Sequence, residues 1–387
     1  MEQTQIHLRF RMIGAVAIVI GGIAWMSGGF EATSYFYGWV FWACMTFGCL
    51  GVSLLHHMAK GSWGYPVMRL LEAGGGWKML LLFGLLFVPI LSHEWMGKLY
   101  EHWMHEGAMD NPLLAQKEFV LNERFFTVFS VFVFATFIFW AYRNQKWQRL
   151  EDETGDKKYL RWRTNWSSGF FPFFMILINF AFTFWVMSMR PEWFSTMYGI
   201  WFAIQQALAA MAMVAIIIGT QAKKEPFKRV VTPQLTKDLG NLMLVMTMLW
   251  AYFSFSQYLI IWSGNMPETI SYYMERRANG FDSLGAVLIA FGFFVPFLLL
   301  LRPRMKSDPR NLAIAGTVIL IGRFLDMHYN VAPMFRDTVV PQLADVGALL
   351  VFGGVWCYMF GWTVAQAPLL VKNQPQLEEA VEHARPA

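Results

Sequence analysis

The sequence predicts an all-α, polytopic membrane protein with about ten transmembrane helices. Three observations predict it. Of 387 residues, 56% are hydrophobic and only 15% charged, against about 25% charged for an ordinary globular domain. Aromatics make up 17% and mean hydropathy is +0.38, more apolar surface than a soluble core of this size hides, and far too apolar for a disordered chain. The apolar residues also fall in runs near the ~20 residues that cross the hydrocarbon of a bilayer, separated by loops alternately rich and poor in Lys and Arg. A net charge of +5 in so apolar a chain reads as a topology signal rather than as nucleic-acid binding.

The runs follow in order. The first, 12–30, comes after Arg9 and Arg11 as a signal peptide would, but no small-residue cleavage site follows it, so it reads as a retained helix. The second is 36–58. Its leading aromatics Tyr35, Tyr37, Trp39 and Trp42, like Trp193, Tyr198 and Trp201 near the sixth run, read as an interfacial belt. The third, 77–91, is short and is expected to extend toward Glu94. The fourth and fifth are 125–142 and 170–189, and the gaps 92–124 and 143–169 are expected to hold only short surface helices. Then come 194–219, 239–262, 284–301, the less apolar 312–329, and 346–371, with 373–387 as a cytoplasmic tail. Pro89, Pro172 and Pro296 are expected to kink or open their helices. No soluble domain fits between the runs, so residues 1–387 form a single integral membrane domain.

Ten spans put both ends on one side. That side gathers 23 Lys and Arg residues, and the other has seven. The positive-inside rule makes both termini cytoplasmic. The longest outer loop carries Glu94, Glu101, Glu106, Asp110, Glu118 and Glu123.

Ionisable groups at membrane depth cost ~2.5–3.5 kcal/mol or more, so each needs a partner or a function. The ninth run reads GRFLDMHYN, supplying Arg323, Asp326, His328 and Tyr329. Arg323 and Asp326 lie three apart on one helical face and can pair, while histidine suits proton transfer near neutrality. These groups read either as a structural ion pair or as a proton relay. The seventh run has Ser254, Ser256, Gln257 and Tyr258 in its outer part, with Ser254, Gln257 and Tyr258 at helical spacing. They suit interhelical bonding, proton transfer through water, or a quinone carbonyl, and Gln257, Tyr258 and His328 are the quinone-binding candidates. His93, Glu94, Glu31 and Asp282 at the outer mouths of spans complete the proton-path candidates.

Cys44, Cys49 and Cys357 lie in apolar runs and read as small buried hydrophobes; no CxxCH and no set of four cysteines occurs. His102, His105 and Glu106 lack a dependable further ligand for zinc. His56 and His57, adjacent and so about 100° apart around a helix, do not share one haem axis. Phosphate-loop, dinucleotide and Ser/His/Asp signatures are not evident.

The stretch YFSFSQYLIIWSGNMPETISYY, residues 252–273, together with ten spans and cytoplasmic ends, resembles the F subunit of bacterial alternative complex III, in the NrfD/polysulfide-reductase group of membrane subunits. The most specific part is FSQYLIIWSGNMPE. The resemblance implies two four-helix bundles, spans two to five and six to nine, flanked by spans one and ten. It implies a bacterial cytoplasmic-membrane complex that oxidises quinol or menaquinol for a cytochrome c or oxidase acceptor. Haem and iron–sulfur clusters would sit in partners: multihaem cytochrome c and iron–sulfur subunits, an NrfD-like C subunit and small membrane anchors. In such a complex the present chain would supply a proton path and a possible quinone contact, with no redox centre of its own. The alternatives are a structural anchor for redox subunits and a stand-alone secondary transporter, which would call for a pair of broken helices around a midplane site.

Overall fold

A computed structural model describes residues 5–372; the expected tail 373–387 lies outside them. Among the described residues the regular structure is helical, without strands, and nine helices are long and apolar enough to cross a membrane. They are Ile6–Gly28 (span one), Ala32–Ala59 (two), Glu123–Thr154 (four), Lys157–Trp185 (five), Tyr198–Gln221 (six), Pro233–Gly264 (seven), Phe281–Leu301 (eight), Pro309–Val331 (nine) and Leu343–Val364 (ten).

The expected third span, 77–91, is not among the nine. Its segment, called span three here, is broken, and its helix stops at Leu85 instead of extending toward Glu94. It consists of Met68–Gly75, an extended Gly76, Trp77–Leu85 and a 3-10 turn at Val88–Leu91. The break frees the Glu72 carbonyl from its helical partner, and the Gln145 side-chain amide donates to it at 2.9 Å. At the far end Phe87 N–H turns to Gly84, and Trp39 Nε1 takes the released Phe83 carbonyl at 3.0 Å. Irregular backbone survives at membrane depth only when neighbours satisfy it in this way.

The stretch 143–169 is not a loop with short helices. Spans four and five run through it as continuous helices and turn only at Gly155 (φ +68°) and Asp156, whose carboxylate caps Lys158 N–H. Hydropathy falls at Tyr142, but helical hydrogen bonding does not need hydropathy. The stretch 92–124 does carry short surface helices, at His93–Leu99, Glu101–Met104 and Pro112–Ala115. Other starts follow capping rules: Thr232 before Pro233 in span seven, Asp308 before Pro309 in span nine, and a Gln342–Asp345 capping box in span ten.

Spans two to five pack as one bundle and spans six to nine as a second, with spans two and six, the most buried, in contact between them. A Cβ on Gly48 would sit 2.0 Å from the Gln206 carbonyl oxygen, so this central contact is backbone against backbone. Spans one and ten pair outside the bundles. Gly14, Gly21 and Gly28 meet Gly354, Gly347 and Ala344, while Gly361 lies against His7, so the two helices run antiparallel. The start of span one and the end of span ten therefore lie at one end of the molecule, here the terminal face; the opposite end is the loop face.

The aromatic belt expected at span ends is instead interior. Tyr37, Trp39, Tyr198 and Trp201 are buried. Trp39, Phe134 and Trp185 fill the first bundle with ring centroids 5.4–6.4 Å apart. Hydropathy cannot tell a ring facing lipid from one facing a neighbouring helix.

Candidate functional site: a buried ion pair in the second bundle

Span nine places Arg323 and Asp326 on one face, directed into the bundle. Arg323 is 2% exposed and Asp326 0%. Arg323 Nη1 donates to Asp326 Oδ2 at 2.9 Å, and Trp250 Nε1 donates to the same oxygen at 2.7 Å. Asn330 Nδ2 donates to Oδ1 at 3.0 Å. The guanidinium lies over the Trp250 ring, 4.1 Å from its centroid.

Span eight provides the remaining partner. Residues Ile289–Phe294 form a π-turn, and Pro296 has no N–H to return to the carbonyl of Gly292. Arg323 Nη2 donates to that carbonyl at 3.3 Å. The expectation that Pro296 opens its helix holds, and the opening serves a buried cation.

The network continues to the loop face. Tyr272 OH, on the helix Pro267–Ala278, donates to Asn330 Oδ1 at 2.5 Å. Burial pushes this phenol well above its ordinary value, against the pull of Arg276, so it stays a neutral donor. Arg276, 2% exposed, donates to the last carbonyls of span nine, Tyr329 O and Asn330 O, each at 3.1 Å. A cation on a helix C-terminus complements its dipole.

His328 points to the junction between the bundles. Its Nε2 sits 2.8 Å from Val339 O, which only accepts, so Nε2 carries hydrogen. In the neutral ring Nδ1 is then the acceptor, and Tyr37 OH of span two donates to it at 2.8 Å. The pair joins the two bundles and leaves neither ring nitrogen free for a ligand.

The other predicted residues divide. Ser254 and Gln257 share the inward face of span seven with Trp250, one and two turns above it. Gln257 Oε1 accepts from Ser195 Oγ at 3.0 Å, while Ser254 Oγ and Gln257 Nε2 are buried without a partner among the described residues. Ser256 is half-buried. Tyr258 does not share that face: it is exposed and stacks on Trp262. Tyr329 is half-buried, with its ring toward Gly285 and Arg276. Asp282 is exposed at the start of span eight, its carboxylate on Ser283 N–H. His93 pairs with Glu123 and Glu94 with Lys98 on the exposed loop face, away from the cluster. Glu31 joins Arg336, which also holds Asp345, and so ties the start of span two to span ten. His102 bonds Arg190 and lies 3.6 Å from Glu192, and its hydrogen bond holds the Glu192 carboxyl below the usual range against partial burial.

Trp250, Tyr272, Arg276, Tyr37 and Gly292 escaped the sequence reading. Trp250 lies four and seven residues before Ser254 and Gln257, a spacing that puts it on their face but gives no sign that its N–H meets a carboxylate. Compared with known families and with curated proteins, the chain matches no family model and no curated sequence.

Proposed function

We propose that the chain is an integral membrane subunit of a quinol-oxidising respiratory complex of the bacterial cytoplasmic membrane, of the kind to which the stretch 252–273 points, and that its second bundle conducts protons. The observation that carries this reading is the Arg323–Asp326 pair. It is buried, and the Asp326 carboxylate is bonded by Trp250 and Asn330 as well as Arg323. Arg323 Nε is buried without a partner among the described residues, and the pair is lined up with Asn330 and Tyr272 toward the loop face. Ser254 and Gln257 offer further buried polar atoms, without partners among the described residues, one and two turns from Trp250. Such groups gain by holding water, the medium through which protons move between fixed side chains. Of the three quinone candidates, Tyr258 alone presents an exposed ring and hydroxyl to a ligand arriving from the lipid. Multihaem cytochrome and iron–sulfur subunits would hold the redox centres, beside a sister membrane subunit.

A structural reading rests on the same geometry, because Asp326 is saturated by Arg323, Trp250 and Asn330. The test uses the whole complex in liposomes, with Arg323→Gln/Asp326→Asn. This variant removes both charges and keeps amide-sized hydrogen-bonding groups. Quinol oxidation should persist while protons released per electron fall. Unchanged proton stoichiometry would leave the pair as a structural tie and remove the path.

A further inference from the structure

The first bundle carries a second buried ionic cluster, at the terminal face, which the reading above does not use. Arg163 of span five is its centre, with a side chain 3% exposed. Its Nη1 donates to Glu151 of span four at 2.9 Å and its Nε to Asn144 at 3.3 Å. Its Nη2 reaches two acceptors at once: Glu72 Oε1 of the broken third span at 3.3 Å, and His57 Nε2 of span two at 3.2 Å. Arg69 bridges Glu72 to Asp152.

A guanidinium only donates, so His57 Nε2 must present its lone pair. The ring is therefore neutral, and its basic nitrogen and a carboxylate oxygen converge on one N–H₂ group. A proton added to Nε2 would put hydrogen against hydrogen. The guanidinium must then withdraw, and Glu72 Oε1 is the carboxylate oxygen already held beside the ring. Glu72 and Arg69 also line an open cavity of about 420 Å³, bounded by Gly76, Lys78, Gln145 and Asp152, so the carboxylate is within reach of bulk water. Gly76 belongs to the cavity wall, and a Cβ there would lie 2.3 Å from Gln145 Nε2, so a side chain at this position would press on the amide that lines the opening.

We propose that His57 and Glu72, with Arg163 as a displaceable cap, form a proton-exchange site on the terminal face. Water in the cavity delivers a proton by way of the Glu72 carboxylate, His57 Nε2 binds it, and Arg163 moves fully onto the carboxylates; loss of the proton to the cavity reverses each step. No electron moves, and the cluster gains one positive charge per proton bound. The groups facing His57 are Arg163, Glu72 and Glu151 from spans five, three and four, His56 and Lys60 on its own segment, and Tyr65 from the turn that follows. His56 donates its Nε2 hydrogen to Gly61 O at 2.8 Å, so His56 and His57 are held in different tautomers.

The site deepens the proton-conducting reading but is tested apart from it. The full chain, with its eight histidines labelled with nitrogen-15, is placed in lipid nanodiscs, and His57 is assigned by the signal lost in His57→Gln. Its ring should gain a proton as the pH is lowered, read as the change of Nε2 from a lone-pair to an N–H signal. Arg163→Gln should raise the midpoint by about one pH unit or more, since the opposing cation is gone, and Glu72→Gln should lower it. If Arg163→Gln fails to fold, Glu72→Gln carries the same test. A ring that stays neutral throughout, or a midpoint unmoved by both variants, overturns the proposal. Arg323→Gln/Asp326→Asn should leave this titration in place, so failure of the path in the second bundle and failure of this site are separate results.

Discussion

Asp326 shows what a single residue must bring to survive at membrane depth. Three donors meet its two carboxylate oxygens, and one of them, Arg323, needs the negative charge as much as Asp326 needs the donors. Removing one member of a buried pair strands the other and costs about 3–5 kcal/mol, whereas removing both costs much less. Asp326→Asn should therefore destabilise the protein by about that amount, with Arg323→Gln/Asp326→Asn recovering most of it. Denaturant or thermal unfolding in nanodiscs reads both, and a double variant no more stable than the single would show that the charges are not mutually dependent. The pair was legible in the sequence because spacing of three on a helix needs no fold to interpret. Trp250 was not, since a tryptophan in an apolar run looks like any core or interfacial ring until its N–H is seen to meet a carboxylate. Arg276 was hidden for the opposite reason: in an outer loop it counted only as charge, and its burial depends on the helix Pro267–Ala278 folding back over span nine.

At the scale of elements, the runs of apolar residues were readable and their continuity was not. Hydropathy averages over a window, so it left Met68–Gly75 out of span three, carried that span past the end of its helix at Leu85, and cut spans four and five where charge begins, though both helices run on. What interrupts a span is a local backbone requirement, and what permits the interruption is a distant side chain, Gln145 or Trp39 for span three and Arg323 for span eight. The pairing of spans one and ten rests on glycines spaced by seven, at 14, 21 and 28 and at 347, 354 and 361. The repeat is visible in the sequence, but which helix it serves is a tertiary fact. Small residues let membrane helices approach closely where no hydrophobic force drives them together. A Cβ on Gly21 would meet Leu350 Cβ at 2.7 Å and the Gly347 carbonyl oxygen at 2.8 Å, while one on neighbouring Gly22 would meet nothing within 4 Å. Gly21→Ala should thus cost about 1–3 kcal/mol through overpacking. Gly22→Ala should be neutral or stabilise by up to about 1 kcal/mol through helix propensity. Unfolding in nanodiscs compares them, and equal effects would mean that spans one and ten do not pack along this seam.

Among the described residues each bundle holds a buried ion-paired cluster, Arg163 in the first and Arg323–Asp326 in the second, toward opposite faces, and their meaning depends on which face meets the cytoplasm. The fold places the start of span one and the end of span ten on the terminal face, through their antiparallel pairing, and brings the turn between spans four and five there with them. The Lys and Arg asymmetry predicts that this face is cytoplasmic, because basic loops resist transfer across the membrane. Cysteine labelling tests the assignment. Glu153 on the terminal face and Glu106 on the loop face are both exposed, and neither has the positive φ that makes Gly155 and Gly107 poor sites for a side chain. The native Cys44 and Cys49 are buried and Cys357 is partly buried within span ten, so background reaction with a membrane-impermeant maleimide should be low. In intact spheroplasts Glu106→Cys should react and Glu153→Cys should not; after permeabilisation both should react. Reaction of both from outside would mean that the number of crossings between them is even, and would break the ten-span topology. A reversed pattern would keep the fold and invert its direction, so that the Asp326 cluster opened to the cytoplasm and the cavity beside Glu72 to the exterior. A proton taken up at His57 would then come from the outer solution, and any coupling to quinol oxidation would have to run the opposite way.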